Sequence, residues 1–178
     1  MSQLLDLTAY RSKVVEQRAF VSWQKRFGES YGAETRPADL SDRTLYFLAR
    51  PGEETALAYY ELIMGILGMG EGPKFYYLEN KDQLMVMDVH LFLVDQVRFE
   101  LMRRLGWLTS FPGGNYTLLE MVQAFKTIKA EVGRKPVTLS RSHPEHNAYN
   151  TLTNADKQVF IRRKIVKALE DFRARLAT

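Results

Sequence analysis

Apolar residues recur along this chain mostly at helical spacing, three or four residues apart. From Ser2 to Phe27 they form two stripes on one helical wheel. Leu7, Tyr10, Val14 and Val21 make one, and Leu5, Ala9, Phe20, Trp23 and Phe27 the other. A helix apolar on two sides touches two neighbours, or one neighbour and another chain. A loop rich in Gly, Pro and Asp follows, from Gly28 to Asp39. Ser41 or Asp39 suits the cap of a short helix ending before Pro51, while Thr44 to Leu48 also suits a strand. The segment from Glu53 to Leu67 is apolar almost all round, with Glu53 and Glu54 at its start and Gly68 as its stop, which predicts a central helix.

Between Lys74 and Asp88 the pattern changes. Phe75 to Leu78 and Leu84 to Met87 flank the polar stretch Glu79 to Gln83, and this predicts a β-hairpin at about 74–88. Asp88 then caps a helix running to about Leu105, stopped by Gly106. A competing reading starts that helix at Asn80. Thr117 to Glu120 is a capping-box sequence, and behind it Leu118, Met121, Val122, Phe125, Ile128 and Val132 share one face up to Gly133. Residues 134–151 lack a helical period and predict an extended segment and a loop. A last helix starts at Thr153 or Asn154, with Ile161, Ile165, Leu169, Phe172 and Leu176 as its stripe. The pattern as a whole predicts a mainly α fold, about five or six helices in an irregular bundle with one small hairpin, as a single domain over 1–178.

Composition narrows the function classes. The chain has 178 residues and no cysteine, which removes disulfides, thiolate metal sites and cysteine nucleophiles. It shows neither a secretory signal pattern at its start nor an apolar run of membrane-spanning length, so the expectation is a soluble, cytoplasmic protein with no membrane contact. Charge is uneven. Residues 1–133 carry 15 Lys and Arg against 17 Asp and Glu, and residues 134–178 carry 10 against 4. A basic final section attracts anions, nucleic acid included. In the last helix, however, Arg162, Arg163, Lys164 and Lys167 spread around the wheel, and no aromatic stacking platform accompanies them.

Candidate chemistry lies in a few polar residues. His143 and His146 stand three apart in "SHPEH". Pro144 keeps His143 out of a helix interior, and two ligands are too few for zinc, so no metal is expected. His90 is far away in the chain. Asp88 and Asp95 are seven apart and share a helix face, a spacing that suits an acid–base pair. Asp88 also suits a helix cap, and Asp95 an ion pair with Arg98. The glycine-rich stretches Gly68 to Lys74 and Phe111 to Asn115 lack the strand-then-helix context of a phosphate loop, and no serine-hydrolase motif is present. No cofactor is implied.

The leading expectation is therefore a non-enzymatic helical protein that binds a protein partner or a second copy of itself. Its surplus apolar residues, Trp23 and Phe27 on the first helix and Val159 and Val166 on the last, would form the interface. The alternatives are an enzyme or small-molecule binder, with a pocket between helices gathering Asp88, His90, Asp95, His143 or His146, and an anion or nucleic-acid binder acting through residues 134–178.

Overall fold

The computed structural model describes residues 18–178, and the expected helix from Ser2 to Phe27 falls mostly outside that range. Its described part, α1 at residues 18–27, packs on α3 (Glu53–Leu67). The approach is close enough that a Cβ on Gly65 would come within 2.9 Å of the Ala19 Cα. The Trp23 indole donates to the Ala58 carbonyl at 2.8 Å, which satisfies its N–H inside the core. Between the two helices runs α2 (Asp42–Ala49), and Ser41 is its N-cap, accepting from the Thr44 N–H at 3.2 Å. The strand alternative for Thr44 to Leu48 gives way to this capped helix, whose Leu45 and Leu48 face inward.

Helix α3 is the centre of the molecule, as its all-round apolarity predicts. Its buried residues include Ala58, Tyr59, Leu62, Ile63 and Met64. Gly68 ends it in the left-handed conformation at φ 68°, a position that favours glycine.

The hairpin expected at about 74–88 is absent, and helix stands in its place. Gly72–Tyr77 is a 3₁₀ turn, and α4 (Asn80–Arg104) begins where the competing reading put it. The reason is visible in burial. Val86, Val89, Leu93, Val97 and Leu101 form one helical stripe against the core, while Leu84 and Met87 point outward. The apolar run Leu84 to Met87 resembles a strand only when that stripe is cut short. Asp88 is consequently exposed in the second turn or beyond of α4, and the N-cap is Glu79.

The structure does contain one antiparallel pair of strands, β1 (Leu108–Ser110) with β2 (Thr138–Leu139), pairing Leu108 with Leu139. The capping box at Thr117 is formed, but the helix behind it breaks at Ala124 into α5 (Leu118–Gln123) and α6 (Phe125–Gly133). The loop region holds one short helix, α7 (His146–Asn150), and α8 (Asn154–Ala177) starts at its Thr153 cap. The described residues are mainly helical with one two-stranded antiparallel sheet, and their helices outnumber the five or six expected. No helix of the described residues is long and apolar enough to cross a membrane.

Candidate ligand pocket

Helices α4, α6 and α8 do not close completely on one another. Between them lies a cavity of about 220 Å³, edged by the segment Lys135–Val137 and by Tyr149 of α7. Local bonds hold that edge. Strand β2 continues the segment and pairs with β1, the Ser140 N–H donates to the Trp107 carbonyl at 2.8 Å, and the Tyr149 hydroxyl donates to the Val137 carbonyl at 2.6 Å. Burial pushes the Tyr149 phenol up to about 12, so it remains a hydrogen-bond donor at neutral pH.

The cavity has an apolar floor and a basic rim. Phe92, Val137, Tyr149 and Ile161 are buried, and Phe99 and Ile165 are half-buried beside them. Five cations line the space: Arg98 from α4, Lys129 from α6, Lys135 from the connecting segment, and Lys157 and Arg162 from α8. Asp95 is the single carboxylate among the lining residues. Lys129, Lys135 and Arg162 are exposed, and Lys157 lies with its ammonium 5.1 Å above the Tyr149 ring.

Asp95 offsets at most one of these five charges. Desolvation raises its carboxyl above the usual range, although Arg162, Arg98 and Lys129 pull the other way. Among the described residues it forms no ion pair within 4 Å. The helix-face partner expected for it, Arg98, instead directs its Nε to the Ala49 carbonyl at 3.0 Å, where it ties α4 to the end of α2.

The other polar candidates lie elsewhere. Asp88 is exposed and takes no part in the cavity. His90 faces α3, its ring 4.8 Å from Tyr59 and 5.3 Å from Tyr60. Burial, with Arg98 adding to it, pulls His90 down to about 4, so it is neutral at pH 7. His143 and His146 are neighbours in a self-satisfied loop. His143 Nδ1 accepts from the Glu145 N–H at 3.1 Å. His146 Nδ1 lies 3.1 Å from the Leu139 carbonyl, and its Nε2 lies 3.0 Å from the Asn150 amide nitrogen. One neutral tautomer, protonated at Nδ1, satisfies both of those contacts and leaves His146 no lone pair for a metal. Among the described residues no group of three or more possible ligands comes together. The cavity therefore gathers Asp95 alone from the five polar candidates.

The expected interface residues divide. Trp23 is fully buried and Phe27 packs in the core against Trp23 and Phe47, so both supply stability within the chain. Val159 and Val166 are 46% and 68% exposed, on the outer side of α8. The basic surface of α8 is also divided: Lys164 pairs with Glu145, Lys167 with Asp171 at 3.0 Å, and Arg175 with Asp42 at 3.6 Å.

No protein-family model, curated protein or solved structure matches this chain.

Proposed function

We propose that this protein binds a small molecule in the cavity between α4, α6 and α8. One observation carries the reading: a concave space between three helices whose apolar floor is overlooked by convergent charged groups from those helices and the segment joining α6 to β2. Helix packing that left such a gap by default would lose dispersion contacts along Phe92, Phe99 and Ile161, and a bound apolar group restores them. The basic section 134–178 enters this reading through Lys135, Lys157 and Arg162, which turn toward the cavity. An acid–base reaction has less support, because among the described residues the cavity holds one carboxylate and no histidine.

The test is a fragment titration followed by NMR. Amide shifts should move together at Phe92, Asp95, Val132 and Ile161. A variant with the space filled, Val132→Trp, should abolish the response while keeping the folded spectrum. Shifts scattered over the surface, or unchanged in the filled variant, would defeat the reading.

Self-association is a second reading, favoured by exposed apolar positions. Leu84, Met87 and Leu91 stand at i, i+3 and i+7 on α4 and are 61%, 42% and 60% exposed, and Val159 and Val166 repeat the feature on α8. Sedimentation of Leu84→Glu/Leu91→Glu and of Val159→Glu/Val166→Glu decides it. A dimer dissociated by either pair supports it, and a monomeric parent chain at high concentration dismisses it.

A further inference from the structure

We infer that the natural ligand is a small organic anion, an acid group on a single ring or short acyl chain, seated with its apolar part on the floor and its acid group at the basic rim. The inference rests on the cavity being a binding site and adds the chemistry of what enters it. Size sets the first bound. A cavity of 150 Å³ accepts benzene, so 220 Å³ accepts roughly nine or ten non-hydrogen atoms. That is a benzoate-sized molecule. A nucleotide or a long acyl chain would leave most of itself outside.

Layering sets the second. Phe92, Tyr149 and Ile161 are buried beneath the opening, and Lys129, Lys135 and Arg162 are exposed around it. An amphipathic ligand meets both layers in one orientation. Inorganic phosphate meets only the rim, and a neutral hydrocarbon only the floor.

Charge sets the third. Five cations converge on one space that holds a single carboxylate, and none of the five makes an ion pair within 4 Å among the described residues. Elsewhere on α8, Lys164, Lys167 and Arg175 each find a carboxylate in the chain, while Arg163 and Arg173 make no ion pair among the described residues but stand outside the cavity. Unquenched like charges gathered at the mouth of a low-dielectric cleft raise the local potential and favour an incoming anion. Asp95 opposes that anion. It is the one lining group whose removal should improve binding.

Calorimetry on the full chain tests this with four probes of matched size or charge: benzoate, benzyl alcohol, benzylamine and inorganic phosphate. Benzoate should bind about tenfold or more tightly than benzyl alcohol, the ratio expected when charge-assisted hydrogen bonds are added. Arg162→Gln and Lys129→Gln alter exposed side chains and should each weaken benzoate several-fold while leaving benzyl alcohol unchanged. Asp95→Asn should strengthen benzoate several-fold, a gain that a damaged fold would not give. Equal affinity for benzyl alcohol, or preference for benzylamine, would overturn the anion inference and leave the cavity reading standing. Binding of phosphate as tight as benzoate would overturn the apolar part. If none of the four probes binds, and fragment shifts in the cavity are also absent, both the inference and the reading beneath it fail.

Discussion

Packed between Tyr59 and Tyr60, with Arg98 nearby, His90 is held neutral, and this makes stability depend on pH. The unfolded chain protonates His90 near pH 6.5, and the folded chain only near pH 4. The contribution of the neutral ring is complete above about pH 6.5 and is lost as pH falls toward 4. Full linkage for such a shift is about 3.4 kcal/mol, and partial exposure discounts it to about 2 kcal/mol. Asp95, whose carboxyl is raised, acts with the opposite sign, since it destabilises while ionised and is relieved on acidification. The difference between the parent chain and His90→Gln isolates the histidine. Urea unfolding midpoints from pH 7 to pH 4 should fall more steeply in the parent, and parallel curves would contradict the assignment.

A second residue-scale feature is Gln96, 2% exposed, whose Oε1 lacks a hydrogen-bond partner among the described residues. Gly113 makes room for it, because a Cβ there would lie 1.9 Å from that oxygen. Gly113→Ala should cost about 1–3 kcal/mol by overpacking, and Gln96→Ala should reduce that cost in a double-mutant cycle. Neither residue was legible in the sequence. "FPGGN" reads as a turn, and a glutamine on a helix carries no sign of what lies across from it. Asp95 was legible as a carboxylate in apolar surroundings, whereas its presumed partner Arg98 turned to a backbone carbonyl beyond the reach of any i, i+3 argument.

At the scale of elements, one buried carboxylate joins several. Glu100 is 1% exposed and accepts from Arg103 at 2.7 and 2.8 Å and from Arg104 at 3.0 Å. Arg104 reaches on to Asp42 on α2 at 2.9 Å and to the Pro37 carbonyl at 3.2 Å, while Arg175 near the end of α8 donates to the Arg104 carbonyl at 2.8 Å. Glu100→Ala leaves the half-buried Arg104 without its inner partner and should cost about 3 kcal/mol or more. Arg103→Ala removes the outer, exposed partner and should cost less, because Arg104 still pairs with Glu100. Similar costs for the two in chemical denaturation would contradict this ordering. Caps and stripes made α3, α5 and α8 readable in advance, through Gly68, Thr117 and Thr153, while at α2 the Ser41 cap stood against a run that also suited a strand. The false hairpin arose where the short apolar run Leu84 to Met87 competed with a stripe that becomes visible only over several turns. The strands β1 and β2 were not readable, because each is short and its partner is remote in the chain.

At the scale of the whole molecule, the uneven charge read from sequence acquires a place. Three of the five cavity cations, Lys135, Lys157 and Arg162, come from the basic section 134–178, while Arg98 and Lys129 come from the less basic remainder. The uneven charge alone gave no sign of the cavity, which exists only because α4, α6 and α8 meet. The histidine loop, the most conspicuous local motif, is spent on tying α7 to β2. The most direct test of the account is a crystal structure of the protein grown with benzoate. The account predicts the ring on Phe92 and Ile161 between α4, α6 and α8, with the carboxylate within hydrogen-bonding distance of Arg162 or a rim lysine. Benzoate found only on the outer surface, with the cavity collapsed by its own side chains, would contradict it.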